Sequence, residues 1–317
     1  MKKPECPVSK IKCRSLFLFL GIVFFMSCAT VPRFSMQEEG HEFSLLPGGG
    51  FVYFWVDIGS GRSLVDNIFF GGGRSDIDDI LNRTNSAAAV VFNPEEGSQR
   101  SFFLAAFGSY PRSMANFSFS FSRDWRTQRS STGSRYWHSR TSSLSLALAG
   151  NMVLVSDHDP FDVPVRNVSI PAGFIDFRRD KALAGWIDDP LEFFDNLLES
   201  MQIPVRIPAE GLYFGLASLP NAHDADTEKQ WEMTMHIRVG SDRDARTFQG
   251  LFNIAMLFFR PVPGMDMTTE LLLSLLMANP IQQSEEFLIL RSPPMNEAAL
   301  SLLFGIFSIS SDHISIY

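Results

Sequence analysis

After Cys28 the chain contains no cysteine; the other two are Cys6 and Cys13. That excludes a disulfide framework and any thiolate metal site over the rest of the chain. Lysine is almost as scarce, with only Lys181 and Lys229 beyond Cys28. Neither has a serine three residues before it, so the S-x-x-K arrangement of penicillin-binding enzymes is absent. There is no G-x-S-x-G elbow, no H-E-x-x-H pair and no G-x-x-x-x-G-K-[ST] or G-x-G-x-x-G loop. Lipase-type, helical zinc-protease and phosphate-cradle chemistry therefore have no sequence support. The glycine runs of "LPGGG" and "FGGGR" read as flexible turns. Long apolar runs are missing too. The stretch Leu16–Met26 is eleven residues, where a bilayer span needs about 20.

The residues before that stretch give it a different meaning. Lys2, Lys3, Lys10, Lys12 and Arg14 stand there against Glu5 alone. A basic head, a short apolar segment and small residues make a secretory signal peptide. The segment closes with Phe25-Met26-Ser27-Cys28. This resembles the signal of bacterial lipoproteins, in which a cysteine is acylated and becomes the new N-terminus. Ser27 fits the small residue before the cut. Phe25 and Met26 are larger than the usual occupants, as in the relaxed motifs of spirochaete lipoproteins. The resemblance implies removal of residues 1–27, lipidation of Cys28 with palmitate-type chains, and a place in the cell envelope, on the periplasmic face or the outer membrane. Its partner would then be a membrane, reached through the N-terminal lipid. Residues 28–50, with Pro32, Pro47 and three consecutive glycines, read as a flexible tether reaching no more than roughly 75 Å.

The chain as a whole has the balance of a globular protein, with 45% hydrophobic and 20% charged residues. Thirty phenylalanines in the full sequence, against five tyrosines and five tryptophans, point to a core built from large apolar units. Stability must come from that core.

Short strands and helices mix along the body. "FVYFWVDI" (51–58) reads as a strand, and Ser75 with Asp78 as a capping box opening a short helix to about Leu81. "AAAVVF" and "SFFLAAF" (87–92 and 101–107) form a hairpin, as do "SLSLALA" and "MVLVS" (143–156) around Gly150-Asn151. The stretch 110–125 fits two periods, and the spacing of Met114, Phe117, Phe121 and Trp125 favours a helix. In the second half, Asp189, Pro190 and Glu192 open a helix. "GLYFGLASL" (211–219) and "WEMTMHIRV" (231–239) are strands. Ser241 with Asp244 caps a helix over 241–259, with Phe248, Leu251, Phe252, Ala255 and Phe259 as its buried stripe. "TTELLLSLLMA" is a helix, "EEFLIL" a strand and "NEAALSLLFGIF" a final helix. The pattern lacks strict βαβ alternation, which favours an α+β fold. The expected organisation is an N-terminal half over 51–160, a proline-rich connection over 161–188 and a C-terminal half over 189–317. The halves are loosely similar, "GGFVYFWVDI" resembling "EGLYFGLASL", and a degenerate duplication is one reading.

Two acidic clusters stand out. Asp157, His158, Asp159 and Asp162 come just after a strand, and Asn221, His223, Asp224, Asp226 and Glu228 lie between two strands. Oxygen ligands suit hard cations, but the spacing of the first cluster matches no calcium loop and the turn at Pro160 accounts for its acids, while the second reads as a solvated loop. No metal or cofactor is expected. His41, His138, His236 and His313 form no local constellation.

One window departs from the charge of the rest. The chain is −8 overall, and residues 1–27 are basic, so the remainder of the chain is more acidic still. Yet residues 100–140 hold seven arginines against Asp124 alone, with Trp125, Tyr136 and Trp137 among them. Arg123, Arg126, Arg129 and Arg135 are the candidate anion-binding residues, for anionic headgroups or an acidic envelope protein. The competing reading pairs them with the body's own acids. Nucleic acid is excluded as a partner by the acidic balance.

The sequence favours a binding, assembly or structural module of the envelope, with no catalytic residue assigned. Two other classes remain open: a hydrolase or transferase acting on envelope polymers, and a carrier of an apolar ligand.

Overall fold

The computed structural model describes residues 40–65, 81–93, 101–111, 119, 122–162, 168–200, 206–219, 229–258 and 278–300. The chain divides into two units, Met1–Glu38 and Glu39–Tyr317, and the described residues belong to the second. Its frame is a twelve-stranded antiparallel sheet in the order β11-β12-β10-β9-β8-β1-β2-β3-β7-β6-β5-β4. Helices pack against it, which makes the fold mixed α+β.

The first half supplies β1 (Val52–Asp57), β2 (Thr84–Val91), β3 (Phe102–Gly108), β4 (Trp125–Arg129), β5 (Arg135–Ser139), β6 (Ser145–Ala149) and β7 (Met152–Ser156). The hairpins β2–β3 and β6–β7 pair as their short apolar runs predict. The second half supplies β9 (Ala209–Ser218), β10 (Trp231–Val239), β11 (Gln282–Ser284) and β12 (Phe287–Arg291). Trp125, expected near the end of a helix, opens β4 instead; most of 110–125 lies outside the described residues. So do the expected helices opened at Ser75 and over 268–278, apart from their last residues, Leu81 and Ala278. The expected last helix is described only over 297–300.

Residues 161–188, expected as a connection, do more than connect. They carry a short helix α2 (Phe174–Arg178) and the strand β8 (Leu183–Ile187). β8 pairs with β1 on one side and β9 on the other, so the sheet runs unbroken from the first half to the second. The reason is local: every residue of β8 is buried, and a strand apolar on both faces belongs inside a sheet. Trp186 lies in register with Tyr53 of β1 and Tyr213 of β9. The two segments whose likeness is visible in the sequence thus flank β8. Gly185 permits the close approach here, since a Cβ would stand 2.4 Å from the Tyr53 carbonyl oxygen and 2.5 Å from the Phe214 ring.

Alternation along the strands sorts the core onto two faces. On one face Val52, Val56, Leu183, Leu212, Ile237 and Leu288 pack under helices α1 (Ile58–Leu64), α3 (Pro190–Ser200) and α4 (Asp242–Phe258). Asp57 caps α1, its carboxylate accepting from Ser60 N–H at 3.0 Å. Asp189 accepts from Glu192 N–H at 3.0 Å at the start of α3. Ser241 accepts from Asp244 N–H at 3.1 Å at the start of α4. The last two are the caps legible in the sequence.

The opposite face carries an aromatic cluster. Trp186 stacks on Tyr53 with centroids 4.7 Å apart, and Phe174 and Phe43 meet it at 4.7 and 4.8 Å. Phe43 comes from the segment expected as tether. Residues 40–50 are instead packed: His41–Leu45 form a 3₁₀ turn, and Phe43 and Leu46 are buried. Tyr53 holds the segment through its hydroxyl, which receives Gly50 N–H at 3.0 Å and donates to the Pro47 carbonyl at 3.3 Å. Arg178 lies over Trp55 and Phe43, with Glu42 at 3.5 Å. The buried apolar side chains of Phe43 and Leu46 are what convert tether into fold.

His236 sits on this same face, between Phe177 at 4.8 Å and Phe287 at 5.9 Å. Burial, with Lys181 and Arg291 nearby, lowers its pKa to about 4, and Asp180 offsets this only in part. The unfolded value is about 6.5, so the unfolded chain takes up the proton first as pH falls. The stability gained from neutral His236 is complete above about pH 6.5 and is lost between there and about pH 4. After screening at this partly exposed site, the loss is on the order of 2 kcal/mol or less. Denaturant melts of wild type and His236→Gln at pH 7 and pH 4.5 test this. The variant should show the smaller decrease; equal decreases would remove His236 as the cause.

Candidate arginine-rich hairpin at the sheet edge

Within the charge-reversed window, residues 125–139 fold into one hairpin. β4 and β5 pair from Trp125↔Ser139 through Arg126↔His138 to Arg129↔Arg135. β4 is an edge strand of the sheet. Exposed arginines along it suit that place, because charge on an edge discourages pairing with another strand.

The turn is built from small polar residues that bond one another. Ser130 N–H donates to the Ser134 carbonyl at 2.9 Å, and Gly133 N–H to the Ser130 carbonyl at 2.9 Å. The Ser130 hydroxyl oxygen accepts from Ser134 N–H at 3.0 Å and lies 2.7 Å from that of Thr132. Gly133 takes φ +83°, the left-handed conformation this closure needs. The Ser131 hydroxyl donates to Asp162 Oδ1 at 2.9 Å, tying the tip to the loop after β7.

The four candidate arginines do not form one patch. Alternation places Arg129 and Arg135 on the face of the hairpin shared with Trp125, Thr127 and Trp137. Phe119 packs there against Trp125 and Trp137 at 5.4 and 5.2 Å. Arg126 lies on the other face, with Gln128, Tyr136 and His138. With the Gln128 amide nitrogen toward the Tyr136 hydroxyl, its oxygen accepts from Arg126 Nε and Nη2 at 3.0 and 3.1 Å. Burial first, and Arg126 second, lower the pKa of His138. Burial and then Asp159 raise that of Tyr136, while Arg126 works against them. Arg123 precedes β4 and is exposed. None of the four has an ion-pair partner among the described residues, so the competing reading, that the body's own acids pair with them, finds no contact there.

The acidic loop beside the hairpin holds its own backbone. Asp157 Oδ1 accepts from Phe102 N–H at 3.3 Å and faces His158 Nδ1 at 2.9 Å. Asp159 accepts from Phe161 N–H at 2.9 Å. Among the described residues no group of three or more His, Cys, Asp or Glu side chains is arranged to hold a metal ion. Residues 221–228 and Cys28 lie outside the described residues.

Elsewhere the notable surface is on α4, where Leu251 and Ile254 stand 54% and 56% exposed. Helical spacing predicts a buried place for Leu251; the structure turns it outward. Ala245, one helical face away, is the residue buried against the sheet. No described helix is long and apolar enough to cross a membrane. Asp188 beside Asp189 has its pKa raised, by burial first and its neighbour second.

The family described as "Outer membrane-associated lipoprotein TP0453" matches residues 38–158, less than half of the chain. Crystal form I of TP0453 superposes with a TM-score of 0.55 at 17% identity, over 86% of this chain and 99% of that one. Crystal form III gives 0.54 at 17% identity over the same shares. Crystal form IV gives 0.52 at 18% identity over 82% of this chain and 94% of that one. At such identity the likeness establishes the fold. No curated protein matches the chain.

Proposed function

We propose that this chain is an exported lipoprotein of the cell envelope, acylated at Cys28 and associated with the outer membrane, whose body is a binding or assembly module. The family match over residues 38–158 and the lipoprotein-like signal support the address. The observation that carries the activity is the hairpin: exposed arginines at a sheet edge, without carboxylate partners among the described residues, in an acidic chain. Such a surface fits the anionic headgroups of the membrane that the anchor would occupy.

Geometry is compatible with both contacts at once. Residues 28–39 span at most about 40 Å when extended. This is shorter than a tether over 28–50 would be, because residues 40–50 belong to the fold. The 3₁₀ turn contacts β2 and β3, and β4 lies four strand spacings beyond β3, about 19 Å. Weak headgroup contacts then act at high effective concentration.

The test uses residues 28–317 carrying Cys28→Ser, so that no lipid contributes, with neutral and anionic vesicles at low and high salt. Preference for anionic vesicles should fade with salt and disappear when Arg123, Arg126, Arg129 and Arg135 are all changed to Gln in a protein that remains folded. Equal binding to both vesicle types, lost on changing Leu251 and Ile254 to Ser, would overturn the electrostatic reading in favour of apolar contact through α4.

A further inference from the structure

We propose that Arg129 and Arg135 form a two-guanidinium clamp for one phosphate group of an anionic lipid headgroup, an inference resting on the membrane-facing role of the hairpin and giving that role its chemistry. The two residues are direct cross-strand partners. Ser130 N–H donates to the Ser134 carbonyl at 2.9 Å and Arg140 N–H to the Asp124 carbonyl at 2.8 Å. That alternation makes Arg129 and Arg135 a non-hydrogen-bonded pair, the class in which opposite side chains stand closest, with Cα atoms about 4.5 Å apart. Like charges directly opposite one another destabilise a sheet unless something lies between them.

Neither arginine has an ion-pair partner among the described residues, and Asp162, which reaches the turn, is bonded there by the Ser131 hydroxyl at 2.9 Å. Asp159 and Asp162 act on Tyr136, whose side chain alternates onto the face of Arg126. The turn donates no carboxylate either, since Ser130 to Ser134 are serines, threonine and glycine. Two positively charged residues are thus set opposite one another by a bonded turn, on the face of the hairpin that also carries Trp137 and Trp125, against which Phe119 packs. A tetrahedral phosphate with shared negative charge is the complement. Each planar guanidinium can present paired N–H groups to its oxygens. Thr127, exposed two residues before Arg129 on the same face, adds a hydroxyl donor. The orientation of Arg126, folded against Gln128, leaves it outside the clamp.

The test measures vesicle binding by residues 28–317 with Cys28→Ser, using phosphatidylglycerol in phosphatidylcholine at fixed salt. Arg129→Gln and Arg135→Gln should each weaken binding about tenfold, the loss of a charge-assisted contact. The double variant should be little worse than either single one, because one arm alone no longer clamps. Arg126→Gln, which removes the same charge from the other face, should change binding less than about twofold if a clamp rather than net charge is read. Arg129→Lys and Arg135→Lys keep the charge and the fold, and should still lose most of the affinity. Lysine variants that bind like wild type, or an Arg126→Gln loss equal to that of Arg129→Gln, would overturn the clamp while leaving a diffuse basic surface intact. Inorganic phosphate in millimolar amounts that abolishes vesicle binding would assign the clamp to free phosphate and overturn the lipid assignment. Failure of wild type to prefer anionic vesicles would remove the membrane-facing hairpin itself.

Discussion

Phe43→Ala is expected to destabilise the body by about 3–5 kcal/mol. Phe43 is fully buried, although it precedes the first strand and sits in a stretch that reads as linker. Its ring meets Trp186 at 4.8 Å and Phe174 at 5.6 Å, and Arg178 lies 5.5 Å above it. Removing it opens a cavity bounded by a strand in the middle of the sheet, where little can collapse to fill it. The damage would also spread to Glu42. Its carboxylate faces Arg178, whose Nη1 is already buried without a hydrogen-bond partner. If the turn loosens, that guanidinium loses its counter-charge as well. Urea melts of residues 28–317 with Cys28→Ser, with and without Phe43→Ala, measure the effect. A variant within about 0.5 kcal/mol of wild type would mean that residues 40–47 only rest on the sheet. A large loss makes Gly40, rather than Phe51, the place where the folded body begins.

The sequence was legible where one local signal decides one element. β10 occupies Trp231–Val239, the limits read from its alternation. The caps at Asp189 and Ser241 bond as their spacing requires. It was least legible where a residue's fate depends on a distant partner. Nothing near Phe43 announces that Trp186 and Phe174, some 140 positions later, will enclose it. β8 is five residues long and bracketed by charged and turn residues, so its apolar run looks like part of a linker until β1 and β9 are placed beside it. The arginine window was visible as charge alone. Which arginines share a face depends on the register of β4 against β5, and that register is set by the five-residue turn at Ser130–Ser134. A helical period carried through Trp125 cannot separate Arg126 from Arg129.

Cys28→Ser is expected to move the full-length protein from the detergent phase to the aqueous phase, lowering the membrane-bound fraction by more than about tenfold. A single acyl chain holds a protein only marginally, with an association constant of about 10⁴ M⁻¹, so stable anchoring takes two signals. A lipoprotein-type N-terminus with several chains would provide them, and the variant provides none. Among the described residues no helix supplies a second anchor. No described helix is long and apolar enough to span a bilayer, and the net negative charge of the body opposes its approach to an anionic surface. Residual binding of Cys28→Ser should therefore be confined to anionic membranes, fall with salt, and weaken about tenfold when Arg129 and Arg135 are also changed to Gln. The anchored protein should behave differently: Arg129→Gln and Arg135→Gln should leave it in the detergent phase and alter only how its body meets the surface, read as faster proteolysis of the β4–β5 turn on anionic vesicles. Wild type found in the aqueous phase would end the lipoprotein reading. A Cys28→Ser variant that stays fully in the detergent phase would show that some other segment carries the anchor.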